Sequence, residues 1–231
     1  MAPVAVYIVR HGETEENRLG VVQGQLDTAL NATGRAQAAR VAEALRDVPF
    51  DAAYASDLAR AAVTAEIILK HHPGVPLRKV AELRERYMGE RQGRRLPAPP
   101  DPPEISTVES ADALAARARA WWEGCVVREH ATRGAGQAEG ETRTRAVLVV
   151  SHGGFIGMQL RTLVAAGRVR CVGGVRSHGR LPNTSVTIVE VDEDGAGALM
   201  QFGDVSHMEA GGEGAVGENA DVQEKDVGAR F

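Results

Sequence analysis

Two short apolar runs, each ending at a histidine next to glycine, constrain this chain more than any other feature. The first run, at 4–9, stops at Arg-His-Gly, and the second, at 146–150, stops at Ser-His-Gly-Gly. Runs of this length that are rich in β-branched residues are typical of buried strands. Because ligands of open α/β sheets bind at the carboxyl ends of the strands, we expect His11 and His152 to lie at a ligand-binding edge.

Amphipathic helices and further short strands are expected around these runs. Apolar residues with helical spacing predict helices at 33–46, 58–69, 110–129 and 155–164. Asp57 and Ser110 are placed to cap the second and the third. Short apolar runs predict strands at 52–55, 77–80, 185–191 and 198–202. The alternation of strands and helices predicts an α/β fold, a three-layer α/β/α sandwich with a mostly parallel central sheet.

One catalytic domain is expected over 1–208, followed by an acidic, glycine-rich tail at 209–231. The tail holds six acidic and two basic residues, a balance of −4 that equals the formal charge of the whole chain. The rest is therefore formally neutral and lacks the basic excess of a nucleic-acid-binding protein. The tail and the segment 131–145 carry no apolar pattern, so we predict a disordered tail and a flexible connector. The charged and then proline-rich stretch 84–109 is expected to be a loop or lid.

The cysteine content and the N-terminus indicate a cytoplasmic protein. The two cysteines, Cys125 and Cys171, form neither a disulfide framework nor a zinc-binding spacing. No stretch approaches the ~18 apolar residues of a membrane span, and the N-terminal run ends too early for a signal peptide. No membrane and no nucleic-acid partner is expected, and a protein partner stays open.

Sequence blocks spread over roughly residues 4–190 resemble the histidine phosphatase superfamily, whose founding members are the cofactor-dependent phosphoglycerate mutases. The segment Ile-Val-Arg-His-Gly-Glu-Thr-Glu-Glu-Asn at 8–17 is similar to the family signature. Further matching blocks follow in the family's order, at 23–24, 56–61, 83–86, 150–154 and 183–186. The resemblance implies a phosphoglycerate mutase-like fold.

The resemblance also implies the roles of individual residues. His11 would be the nucleophile that forms a phosphohistidine, and Glu85 the general acid and then base. His152 would complete the catalytic group. The phosphate-binding residues would be Arg10, Asn17, Arg60, Gly24 and Gly153.

The residue types fit this chemistry independently of the family. Guanidinium forks suit phosphate oxygens. A nucleophilic imidazole must be neutral, and nearby arginines should lower the pKa of His11 and so favour that state. A main-chain carbonyl that accepts its other ring N–H would fix the tautomer. No metal or cofactor is expected, because arginines can stabilise the charge on a transferring phosphoryl group.

The expected activity is that of a metal-independent phosphatase that hydrolyses small phosphate monoesters, sugar phosphates among them. Its partner would be a small phosphorylated metabolite. The short, proline-rich insert after the Glu85 block favours a phosphatase over a mutase. One alternative is phosphoglycerate mutase-type phosphoryl transfer. The other is a phosphoesterase-fold binding or scaffold protein, and the complete set of site residues argues against this second alternative. Glu13 is either a site residue or a turn cap. Surface positions are expected for His71, His72, His130 and His207. His178 lies in a glycine-rich, basic loop, where a solvated position is favoured over a contact with substrate.

Overall fold

A seven-stranded sheet forms the centre of the computed structural model, which describes residues 4–95, 107–131 and 144–209. The strand order is β3-β2-β4-β1-β6-β7-β5. The strands are β1 (Val4–Arg10), β2 (Phe50–Ser56), β3 (Leu77–Val80), β4 (Arg145–Ser151), β5 (Val169–Cys171), β6 (Val186–Val191) and β7 (Gly197–Asp204). Six of these strands were predicted from the sequence, and β5 was not. Only Val169 of its three residues is buried, so this short strand leaves no apolar pattern.

The register of the two central strands places both histidine motifs at the same edge. β1 and β4 pair in parallel from Val4 opposite Arg145 to Arg10 opposite Ser151. His11 and His152 therefore follow immediately at neighbouring strand ends, as the sequence predicted. β2 and β3 extend the parallel part of the sheet, whereas β6 runs antiparallel to β1 and to β7. The mostly parallel sheet is thus confirmed.

Helices cover both faces of the sheet. The helices are α1 (Glu15–Leu19), α2 (Ala32–Ala44), α3 (Ala59–Ile68), α4 (Ala111–Trp121), α5 (Gly153–Ala165) and α6 (Ser206–Glu209). α2 and α3 pack on one face, where Val9 of β1 belongs to their core cluster. α4 and α5 pack on the other face, where the neighbouring Ile8 points. This alternation is what a strand buried on both sides requires, and it produces the predicted three-layer sandwich.

Two details of the predicted helices differ in the structure. Ser110 caps α4 as expected, because its hydroxyl accepts a hydrogen bond from the N–H of Ala113 at 3.1 Å. The predicted helix 110–129 is α-helical only to Trp121 and continues as a π-helix over Trp122–Ala131. Asp57 does not cap α3. The N-cap is Leu58, and the Asp57 carboxylate instead pairs with the guanidinium of Arg84 at 2.6 and 2.7 Å.

Several predictions fall outside the residues that the structure describes. These are the proline-rich part of the 84–109 loop, most of the 131–145 connector and the tail beyond residue 209. Across the described ranges, no helix combines the length and the apolar character needed to span a membrane.

Candidate active site

His11 and His152 meet in the interior at the carboxyl end of the sheet. Both residues are 0% exposed, and their ring centroids lie 5.1 Å apart in a tilted arrangement. The backbone N–H of His11 donates to the carbonyl of Ser151 at 2.9 Å, which extends the β1–β4 ladder to the histidine itself. Sheet pairing therefore fixes the backbone positions from which the two rings extend.

A hydrogen bond to the backbone fixes the tautomer of His11. Its Nδ1 lies 2.7 Å from the carbonyl oxygen of Gly12. A carbonyl can only accept, so Nδ1 carries the hydrogen and Nε2 carries the lone pair. Nε2 is buried and has no hydrogen-bond partner among the residues that the structure describes. Burial, and then the positive charges of Arg60 and Arg10, hold the pKa of His11 well below its ordinary value, so the ring is neutral as predicted.

Gly12 lets the end of β1 approach the start of α2 closely. A Cβ at this position would lie 2.4 Å from the carbonyl oxygen of Gly34. The N–H of Gly12 donates to the hydroxyl of Thr64 on α3 at 3.1 Å. The backbone that follows His11 is thus tied to helices on one face of the sheet. No larger residue fits without displacing α2.

Arg10 and Arg60 flank the two histidines, and backbone carbonyls orient both guanidinium groups. Nη1 of Arg10 donates to the carbonyl of Leu181 at 2.8 Å. Arg60 donates from Nη1 to the carbonyl of Leu26 at 2.7 Å and from Nη2 to that of Gly24 at 2.8 Å. Both arginines are at most 1% exposed. These carbonyls fix the direction of the forks without cancelling their charge, which suits the binding of a dianion.

Asn17 and Gly24 approach the site through the loop between β1 and α2. Asn17 lies in the short helix α1, where it forms a capping box with Thr14. The amide of Asn183 donates to the carbonyl of His11 at 3.0 Å and lies 3.4 Å from Oδ1 of Asn17. Gly24 has a left-handed backbone with φ of +52°, and its carbonyl holds Arg60. The observed contact of Gly24 is therefore with an arginine of the site.

His152 is the N-cap residue of α5, which begins at Gly153. Both ring nitrogens of His152 are buried, and within the described part of the chain neither has a hydrogen-bond partner. Burial, and then the positive charges of Arg60, Arg10 and Arg117, hold its pKa well below the ordinary value. The ring is neutral, so one of its nitrogens can donate a hydrogen bond to a ligand and the other can accept one.

Glu85 reaches the same edge from residues 82–88, which we call the acid loop; the loop leaves a short 3-10 helix, Ala81–Leu83, and has no regular structure from residue 84 on. Its carboxylate accepts from the N–H of Gly154 at 2.8 Å and from the N–H of Arg86 at 2.7 Å. The residue is 1% exposed. A Cβ at position 154 would lie 2.5 Å from Oε1 of Glu85, so only glycine leaves room for the carboxylate. The second glycine after His152 thus has a specific steric role.

Two side chains that hold the site, Gln25 and Arg117, were not predicted from the sequence. Gln25 donates to the carbonyl of Glu85 at 3.1 Å, and Arg117 donates to backbone carbonyls of the acid loop. The position of Arg117 could have indicated its role, because it lies three residues after buried Leu114 and one before buried Ala118 on the apolar stripe of α4. Glu13 accepts from the side chain of Asn31, the N-cap of α2.

Two histidines predicted at the surface are buried. The ring of His130 is hydrogen-bonded to the hydroxyl of Tyr54 at 2.9 Å, and His72 packs edge-on against Phe50 with 4.9 Å between ring centroids. Their exposures are 4% and 8%. Both belong to the packing of the sheet faces. His71 and His178 are exposed as predicted, and His207 is half-buried.

The assembled groups form a buried cationic pocket with a neutral imidazole beside a carboxyl group. Such a pocket can bind an anion, present a nitrogen lone pair to it and exchange a proton with a group bonded to it. Within the described residues, no group of three or more histidine, cysteine or acidic side chains is arranged to hold a metal ion.

Comparison with known proteins agrees with this geometry. The family described as the histidine phosphatase superfamily (branch 1) matches residues 6–204. A probable phosphatase of Schizosaccharomyces pombe is 32% identical over 213 residues, which are 89% of this chain and 95% of the relative. A metal-independent phosphoserine phosphatase of Arabidopsis thaliana is 32% identical over 224 residues, with 90% and 84% covered.

The fold itself is that of the phosphoglycerate mutases. The crystal structure of a phosphoglycerate mutase from Bacillus anthracis superposes with a TM-score of 0.72, covering 90% of this chain and 96% of that one at 24% identity. The predicted architecture is therefore confirmed.

Proposed function

The chain belongs to branch 1 of the histidine phosphatase superfamily, and from that premise we propose that it hydrolyses small phosphate monoesters through a phosphohistidine formed on His11. One observation carries the proposal. The lone pair on Nε2 of His11 is buried beside His152, and both rings lie within the field of Arg10 and Arg60. A phosphate dianion drawn into this pocket would meet that nitrogen.

In the first step, Nε2 of His11 attacks phosphorus and the bond to the ester oxygen breaks. The bond from Nδ1 to the Gly12 carbonyl supports this step, because it stabilises the positive charge that develops on the ring. Arg10, Arg60, His152 and Asn17 would bind the phosphoryl oxygens, with Gly24 and Gly153 beside them. Preorganised donors of this kind stabilise the transferring group without needing to reorganise.

Glu85 would supply the proton that the leaving oxygen needs. In the second step its carboxylate would take a proton from water as that water attacks phosphorus, and the bond between phosphorus and His11 would break. The position of Glu85 at the pocket, held by Gly154, supports this role. We propose that neither step needs a metal ion, since the cationic groups of the pocket supply the positive charge.

Phosphate release from an aryl phosphate in the presence of a chelator tests the proposal directly. We expect turnover by the wild type, and a loss of at least about 10⁴-fold for His11→Ala, as is typical of removing a nucleophile. His178→Ala is the matched control, since this histidine is exposed. Undiminished activity of His11→Ala would refute the assignment of the nucleophile.

Two further measurements distinguish hydrolysis through a phosphohistidine from other phosphoryl-transfer reactions. Rapid quenching with labelled substrate should trap an acid-labile phosphoenzyme in the wild type and none in His11→Ala. A panel of phosphorylated metabolites, sugar phosphates included, should release inorganic phosphate. Isomerised phosphoglycerate in place of inorganic phosphate would show that transfer, not hydrolysis, is the reaction.

A further inference from the structure

One guanidinium group grips the backbone of the acid loop. Nη1 of Arg117 donates to the carbonyls of Glu82 and Arg84, both at 2.8 Å, and Nη2 donates to the carbonyl of Glu85 at 3.3 Å. Three carbonyls within four residues thus converge on one rigid, planar group. The path of the backbone that carries the Glu85 side chain follows from the position of this fork.

Glu109, which precedes α4, fixes the fork in turn. Its carboxylate accepts from Nε and Nη2 of Arg117 at 3.0 and 2.8 Å in a bidentate pair. The same residue ties the far end of the acid loop, because its Oε2 accepts from the N–H of Tyr87 at 3.1 Å and its N–H donates to the carbonyl of Tyr87 at 2.8 Å. The two side chains are only 20% and 15% exposed, so water screens the pair less than an open surface pair.

Arg117 also contacts the helix that receives the Glu85 carboxylate. Its Cζ lies 5.4 Å from the ring centroid of Phe155 in the first turn of α5. The neighbouring residue, Gly154, donates its N–H to Glu85. One guanidinium therefore spans the two elements whose relative position decides where the carboxyl group lies.

We propose that Arg117, oriented by Glu109, is a positioning residue that aims the Glu85 carboxyl group at the oxygen of the leaving group. The inference rests on the proposed function. It goes beyond that function by giving Arg117 and Glu109, which are not among the proposed phosphate-binding residues, a role in positioning the acid. Its consequence is selective. Arg117 matters most for esters whose leaving group must be protonated and least for activated aryl esters.

A purely structural role predicts a different pattern. If Arg117 only stabilised the fold, or only added positive charge near the phosphate, its loss would slow all esters by the same factor. The dependence of kcat/KM on the pKa of the leaving group separates the two, because kcat/KM covers the steps through the first phosphoryl transfer.

The test measures kcat/KM for an alkyl phosphate and for a series of aryl phosphates in Arg117→Met and Glu109→Gln. For Arg117→Met we expect a loss of about tenfold to a hundredfold with the alkyl ester and less than about threefold with p-nitrophenyl phosphate. Glu109→Gln should change the same ratio in the same direction by a smaller factor. Arg168→Met is the matched control, since Arg168 pairs with Glu123 beyond the opposite end of α5, and it should leave the ratio unchanged.

A double variant gives a second readout. Arg117→Met combined with Glu85→Gln should be no slower on the alkyl ester than Glu85→Gln alone, because both changes act through one group. Equal losses for alkyl and aryl esters, or full additivity in the double variant, would overturn the inference. If Arg117→Met does not fold, as judged by thermal melting, the same criteria apply to Arg117→Lys and Glu109→Gln. A wild type that releases no phosphate would refute the proposed function together with the inference, whereas His11-dependent turnover with equal losses refutes the inference alone.

Discussion

The two halves of the candidate site are held in place by different forces. Arg10, His11, Arg60 and His152 form the half proposed to bind phosphate, here called the phosphate half, and each lies at the end of a strand or at the start of a helix that packs on the core. Glu85 lies instead in irregular backbone, which Gln25, Glu109 and Arg117 hold through hydrogen bonds. The phosphate half is thus part of the core, whereas the acid loop is attached to it.

This difference separates the two halves energetically. Moving a group of the phosphate half means disturbing a close-packed sheet and its helices, where core changes typically cost about 2–5 kcal/mol. A neutral hydrogen bond that holds the acid loop contributes only about 1 kcal/mol net, and one from the charged Arg117 guanidinium about 1.5–3 kcal/mol. The position of the acid should therefore be adjustable by single substitutions that leave the fold and the phosphate half intact.

The largest effect is expected in the phosphate half. Arg60→Met should lower kcat/KM by about 10³-fold for alkyl and aryl esters alike, because a donor to the transferring group is lost whatever the leaving group. Arg60→Lys should recover part of this activity, since it keeps the charge but not the fork. Steady-state kinetics with both ester classes checks this. A loss of kcat/KM confined to esters with poor leaving groups would show that Arg60 acts with the acid loop. The division of the site into two halves would then be wrong.

A smaller and selective effect is expected where the halves touch. Gly154→Ala would place a Cβ 2.5 Å from Oε1 of Glu85, so the carboxylate must move. We expect about tenfold lower kcat/KM for alkyl esters, while the inhibition constant of inorganic phosphate stays within about twofold. Gly157→Ala on the same helix is the control, because its Cβ would meet only the tip of Arg161 at 3.4 Å. Weaker phosphate inhibition in Gly154→Ala would show that the halves are not separable.

The smallest effect concerns stability. Burial, reinforced by Arg60 and Arg10, lowers the pKa of His11 and His152 in the folded chain. As the pH falls below 6.5, the ordinary value, the unfolded chain binds protons that the folded chain does not. The free energy of unfolding should therefore fall on acidification, by at most about 1.4 kcal/mol per pH unit for each histidine.

Urea unfolding at pH 7.5 and 5.5 measures this slope. A variant with His11→Gln and His152→Gln should lose less stability on acidification than the wild type, whereas exposed His178→Gln should match the wild type. Identical slopes in all three proteins would contradict the burial of both rings as neutral groups.

How well the site could be predicted from the sequence follows the same division. Uninterrupted apolar runs mark β1 and β4, so the positions of His11 and His152 at one edge could be predicted from these two runs alone. Arg60 and Glu85 needed the family resemblance, because neither an arginine in a helix nor a glutamate among other acids is distinctive. Gln25 and Arg117 bind backbone carbonyls of the acid loop, which carry no side-chain identity, and only the place of Arg117 beside the apolar stripe of α4 marks it in the sequence.

Other errors have the same origin. Asp57 was predicted to cap a helix, whereas its partner is Arg84, which is close only in the folded chain. His130 was expected at the surface, whereas it is hydrogen-bonded to Tyr54 on a distant strand. Contacts that join separate segments through polar groups were the ones missed, because they leave no periodic signal.

The place of β4 in the sheet has a consequence for how the molecule is made. β4 lies between β1 and β2, although both are synthesised well before it. A nascent chain that ends before Arg145 therefore has two strands with no partner between them, and the pocket has only one of its two imidazoles. Pairing across so large a sequence separation is slow to form. The ribosome must release more than half of the polypeptide before the centre of the sheet can close, and any catalytic competence arises only with that closure.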